Sequence, residues 1–320
     1  MTGVRIRGDG VAARCAAHLL AGGGFAVSVE GGSRPRVPCI LLSHVAQELI
    51  RDVIQSDQYL RDFPRIRARI VQWGEAAGSV KLPHAAVVVS EEALLSVLPP
   101  APCSDSDASW VIDSAPSANM LRFGERMASV APITEGVEPA ACRMKSLEAG
   151  WEFLVSTGHQ SGWRITVGDT GEFPAAPRIA TQLCGPRWLA CGSAALAFDP
   201  LCGDGTAHAV REAILAAAVI RAVEQGEDQE ALLLHYRTRL ILGFQRHLTV
   251  CREFYASGGG GPWWREQCAR LDGGLDWCAG ELRGLPPFRF RLEGFELCHL
   301  QPGTANDPMR VVDEAAPLFK

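Results

Sequence analysis

Two glycine-rich stretches, far apart in the chain, carry the residue types and spacing best suited to chemistry. The first is Gly8-Asp9-Gly10-Val11-Ala12-Ala13, between the short run Val4-Arg5-Ile6-Arg7 and a helix expected over 14–21. A G-x-G-x-x-A turn between strand and helix is what a dinucleotide pyrophosphate requires. Gly8 permits the tight turn, Gly10 lets the phosphates approach, and Ala13 lets the helix lie against the strand. The free amides of the helix N-terminus then face the anion. Glu30 ends the next expected strand, over 25–29. It stands about 20 residues beyond Gly10, where an acid accepts from a ribose hydroxyl. The same fingerprint also fits a unit that has kept its fold and lost its ligand, because Arg7 and Asp9 crowd the turn with charge.

The second stretch runs from Trp188-Leu189-Ala190-Cys191 into Gly192-Ser193-Ala194-Ala195. Asp199-Pro200, Gly203, Gly205 and an alanine-rich helix over 206–223 follow. Strand, open backbone and helix N-terminus recur in the same order. Two such turns suit a cofactor long enough to be gripped at two places.

The elements that must position these turns belong to a chain of 320 residues, enough for roughly two domains. Hydrophobic content of 47% fills a core, and a net charge of −5 leaves no basic footprint for nucleic acid. No apolar run reaches ~18 residues and MTGVRIRGDG has no leader character, so a cytoplasmic protein away from the membrane is expected. Eleven cysteines are scattered with no C-x-x-C pair. They read as small buried hydrophobes, with no metal site expected.

Patterning places a helix over 37–56, a strand with one wet face over 65–73 and a buried strand over 85–89 after Lys81. A helix over 91–98 capped by Ser90 follows, then antiparallel strands over 128–134, 151–156 and 163–168. Helices are expected over 207–224 and 228–256, then a break over 258–261 and a tail of little regular structure from Gly284. Residues 99–109 read as a polar linker. No G-x-S-x-G elbow surrounds Ser193, since Cys191 and Ala195 stand where it needs glycine.

The two glycine stretches together resemble those of the FAD-dependent monooxygenase superfamily with the para-hydroxybenzoate hydroxylase fold. Within it they are most like the flavin-dependent tryptophan halogenases and the LodB-like flavoproteins of quinone-cofactor maturation. The resemblance spans about residues 3–270, including Gly150-Trp151-Glu152-Phe153 and Trp110-Val111-Ile112-Asp113-Ser114-Ala115-Pro116. It implies an α/β fold with a discontinuous Rossmann-type FAD-binding domain, an antiparallel-sheet substrate domain and a C-terminal helical region. The expected division is 1–76, 104–124 and 183–224 for the first, 77–103 and 125–182 for the second, and 225–320 for the third.

The implied FAD contacts are Gly8, Gly10, Ala13 and Glu30 on the ADP half, and Gly192, Ser193, Asp199, Pro200, Gly203 and Gly205 on the ribityl and ring half. The family has an aspartate where Ser193 stands, and losing one charge-assisted bond of ~1.5–3 kcal/mol weakens a cofactor by one to two orders of magnitude. Pro116 and Phe153 also depart from the family pattern.

Two functions follow. One is an FAD-dependent oxidoreductase, monooxygenase- or halogenase-like, acting on an aromatic small molecule or a peptide-borne aromatic residue, with a separate flavin reductase as a partner. The other is a degenerate homologue without catalysis that serves as a binding or maturation partner. Asp199 either holds the turn before the flavin or caps its loop. His159, Trp151 and Trp163 either line a substrate pocket or pack. Arg34 and Arg36 meet phosphates or sit in a solvated loop, and Trp263-Trp264 pack or anchor a partner.

Overall fold

A computed structural model describes residues 2–32, 35–74, 78–100, 107–134, 138–158 and 161–300. Its first sheet is built as the N-terminal glycine spacing predicts. Strand Gly3–Arg7 leads into helix Val11–Gly22, and the chain returns as strand Ala26–Glu30 parallel to the first. Ala108–Asp113 pairs in parallel on the other side, and Trp188–Ala190 pairs in parallel beyond it. Val4, Ile6, Trp110, Ile112 and Leu189 are buried between the sheet and its covering elements. Cys184–Gly185 closes the edge antiparallel. Helix Gly205–Glu224 packs on Val11–Gly22, and both bury alanines completely (Ala13, Ala16 and Ala17; Ala213, Ala216 and Ala217). Side chains that small let two helix axes approach closely.

Among the described residues the second sheet has eight strands, with the two-residue Phe173–Pro174 at one edge beside Met127–Ile133. Met127–Ile133, Ser161–Gly168, Gly150–Gly158 and Ala141–Leu147 lie side by side antiparallel, in that order. Arg65–Gln72 then joins parallel to Ala141–Leu147, Val80–Val89 runs antiparallel beside it, and Ile40–Ser43 is the far edge. In Arg65–Gln72 the buried Ile66 and Ile70 lie between wetter arginines, the half-buried alternation expected there.

Local expectations change at two places in the first hundred residues. The run 37–56 is not one helix: Ile40–Ser43 pairs with Ala86 through Val89, and the helix is His44–Ile54. Ser43 stays extended and accepts from the Ala46 amide, so the apolar triplet before it joins the sheet while Ser43 starts the helix. Lys81 lies inside strand Val80–Val89 rather than before it, where it pairs with Glu138.

Helices Gln229–Gly258 and Pro262–Leu282 pack together, separated by the glycines before Pro262. Past Gly284 the chain forms the hairpin Phe290–Glu293 and Glu296–His299, more regular than expected. Much of the 99–109 linker, together with Arg34 and His159, lies outside the described residues. None of the described helices is long and apolar enough to cross a membrane.

Candidate active site

The two glycine turns, which begin at Gly8 and at Gly192, meet at the C-terminal ends of the parallel strands, the place where open α/β sheets bind ligands. Gly8 sits at φ +110°, and a Cβ there would stand 2.8 Å from the Ala115 amide nitrogen. Gly192 sits at φ +58°, and a Cβ there would stand 2.8 Å from the Cβ of Ala12. Both positions therefore admit little but glycine. Gly10 is the N-cap of Val11–Gly22 in extended conformation and offers no side chain to cap the helix amides. Asp204, the N-cap of Gly205–Glu224, makes no capping bond either, because its carboxylate turns to Arg211 and His208. Two uncapped helix N-termini thus face the same region, each a donor set for anionic or electron-rich groups.

Between the turns lies a cavity of about 370 Å³. Gly10, Val11 and Ala12 line one end. Gly192, Ser193 and the segment from Asp199 to Gly205 form its wall, and Trp151, Phe153 and Ile165 face it from the second sheet. Of the residues expected at the site, Gly10, Gly192, Ser193, Asp199, Pro200, Gly203 and Gly205 border this space. Gly8, Ala13 and Glu30 do not. Ala13 is buried in the core, and Glu30 pairs on the surface with Arg5 at 3.3 Å and Arg7 at 3.8 Å. Arg36 is half-buried and pairs with Asp9 on the first turn, with Glu91 at 3.8 Å on its other side.

The second turn is held from inside the protein. Asp199 is 1% exposed. Its Oδ1 accepts from the Leu201 amide, so it caps the short turn Pro200–Cys202. Its Oδ2 accepts from Arg126 Nε at 3.0 Å and from the Tyr255 hydroxyl at 2.9 Å. Arg126, buried as well, donates to Gln267 at 2.8 Å and lies over the Tyr255 ring. Trp151 donates its indole N–H to the Tyr255 hydroxyl at 3.0 Å. Asp199 thus both caps its loop and fastens it to the second sheet and the C-terminal helices. Trp263 and Trp264 are buried and pack against Tyr255.

Glu212 is the residue that reading the sequence missed. It is 4% exposed, lines the cavity, and accepts from the Gly192 amide at 2.7 Å. Burial pushes its carboxyl well above the usual value of 4.5, and the single amide bond offsets that in part. One acid in the apolar run of a buried alanine-rich helix was the available signal. Ser193 donates its hydroxyl to the Ser114 carbonyl at 3.1 Å and keeps its lone pairs as acceptors. Arg126 and Gln267 carried no such signal.

No family model matches the chain, and no curated protein matches it in sequence. Solved structures do match it in fold. A peptidyl tryptophan dihydroxylase, QhpG, essential for tryptophylquinone cofactor biogenesis, superposes with TM-score 0.71 at 18% identity, covering 93% of this chain and 86% of its own. CmlS, a flavin-dependent halogenase, gives TM-score 0.71 at 16% identity over 93% and 84%. Klebsiella pneumoniae HpxO, solved with FAD and uric acid, gives 0.65 at 12% over 87% and 96%. The chain has the fold of the flavin-dependent monooxygenases and halogenases.

Proposed function

We propose that this chain is an FAD-dependent oxidoreductase, monooxygenase- or halogenase-like, acting on an aromatic small molecule or a peptide-borne aromatic residue. The observation that carries it is the one cavity joining both glycine turns, with two uncapped helix N-termini at its edge and Trp151 and Phe153 on its far wall. The residues fit an extended dinucleotide in two respects: side chains are excluded at Gly8 and Gly192, and free amides begin both helices. Gly10 would hold the pyrophosphate end on the turn that Gly8 permits, with Ser193 and Glu212 at the ribityl chain and the segment Pro200 to Gly205 at the ring. When bound and reduced, the flavin supplies oxygen activation, with electrons from a separate flavin reductase.

The chain's own part is positioning and dryness. Glu212, with its protonated form favoured, can donate toward the cavity while its other oxygen holds the Gly192 amide. Trp151, Phe153 and Ile165 exclude water and offer flat apolar surface to an aromatic ring.

A second reading, a homologue that has lost catalysis and serves as a partner, is supported by the first turn. There Glu30 is taken up by Arg5 and Arg7, and Asp9 by Arg36. Flavin fluorescence titration of the wild type and Ser193→Asp separates the two. The oxidoreductase reading expects saturable FAD binding, tightened roughly tenfold by the added carboxylate. No binding by either well-folded protein would leave the partner reading standing.

A further inference from the structure

Cys202 ends the short turn Pro200–Cys202, and Cys251 follows His247 by one helical turn on Gln229–Gly258. Their reactive atoms converge. Cys202 Sγ lies 3.5 Å from Cys251 Sγ, Cys251 Sγ lies 3.3 Å from His247 Nε2, and all three atoms fall within 4.8 Å of one another. Cys251 and His247 are buried, whereas Cys202 is half-buried, so a small oxidant meets Cys202 first.

His247 Nε2 also accepts the Asp199 amide N–H at 2.9 Å, which fixes its lone pair on that nitrogen. Burial holds the imidazole well below its usual value, hence neutral, and burial pushes the Cys251 thiol up. A metal ion would need the lone pair that the Asp199 amide already occupies. The arrangement favours thiol chemistry.

We propose that Cys202 and Cys251 form a peroxide-oxidised dithiol, and that its disulfide staples the cavity-wall turn to the long C-terminal helix. The Cys202 sulfur attacks one oxygen of hydrogen peroxide. The O–O bond breaks, Cys202 becomes a sulfenic acid, and the departing hydroxide leaves as water with the thiol proton. The Cys251 sulfur then attacks Cys202. The S–S bond forms as the S–O bond breaks, and the departing hydroxide takes the Cys251 proton and leaves as the second water. Two thiols lose two electrons and peroxide becomes two waters. The sulfurs need to close from 3.5 Å to about 2.05 Å. The inference stands whether or not the cavity takes a flavin.

The test uses the full, reduced chain with equimolar hydrogen peroxide, followed by alkylation and peptide mapping. A Cys202–Cys251 linked peptide that dithiothreitol abolishes is expected, with amide exchange over 200–205 slowed about tenfold. In Cys251→Ser, peroxide should leave a dimedone-reactive sulfenic acid at Cys202. In Cys202→Ser, position 251 should stay unlabelled. Both thiols remaining alkylatable after peroxide would overturn the proposal. So would stoichiometric zinc binding by the reduced chain that shields both thiols from alkylation.

Discussion

At the turn Gly8 to Ala13 the polar side chains pair at or near the surface, Glu30 with Arg5 and Arg7, Asp9 with Arg36. At the turn Gly192 to Gly205 they are buried: Glu212 on the Gly192 amide, and Asp199 gripped by Arg126 and Tyr255. Exposed pairs are screened by water and exchange partners readily, whereas a buried network must stay complete to be tolerated. The first turn is thus a cradle whose shape comes from backbone and glycine, with charges that can yield to a ligand. The second is a wall fixed from behind by residues of three other elements.

This contrast can be broken most severely at Arg126. Arg126→Met removes the cation and leaves the Asp199 carboxylate buried without its partner, a loss of about 3–5 kcal/mol. Denaturant unfolding should show the midpoint falling by that measure. A loss under about 1 kcal/mol would mean that the wall is not held from inside.

Glu212 gives a smaller effect with a distinctive pH signature. Its folded carboxyl titrates above its unfolded value of 4.5, so the unfolded state gives up this proton first. Stability from this group is therefore highest below 4.5 and falls as pH rises toward the raised folded value. Glu212→Gln should keep the acceptor for Gly192 and remove that decline. Glu212→Ala should lose about 1–3 kcal/mol below pH 4.5 by orphaning the amide, and the difference from wild type should shrink as pH rises. Unfolding curves of the three proteins across acid to neutral pH decide it; a decline of equal slope in Glu212→Gln would assign it elsewhere.

The smallest effect belongs to the first turn. Glu30→Gln should change thermal stability by no more than about 1 kcal/mol, and less in high salt. A larger shift would make the two turns alike.

Much of this was legible in the sequence because local signals carried it. The spacing Gly8, Gly10, Ala13 and the runs at Trp110 and Trp188 place a parallel sheet whose strands then pair as those patterns imply. The run Ile40-Leu41-Leu42 was not legible, because a short apolar triplet fits a helix face and a strand equally until Val87 and Val88 are seen to pair with it. Strand Ala141–Leu147 escaped because Arg143 and Lys145 interrupt it, their side chains leaving the buried face to Cys142 and Met144. The site's inner wall was hidden for a different reason. Arg126 meets Asp199 across 73 positions and Gln267 across 141, and no spacing rule links residues so far apart.

The claim that both turns serve one flavin is tested most directly at Gly10. This residue has φ −75° and ψ −176°, extended backbone that the valine of Gly10→Val adopts without backbone strain. Gly10 lines the cavity where the pyrophosphate is expected, so a side chain there would compete for that space. Titrating FAD into both proteins, with circular dichroism confirming equal folding, should show saturable binding to the wild type and a loss of at least about a hundredfold in the variant. Equal FAD affinity in the two proteins would contradict the account.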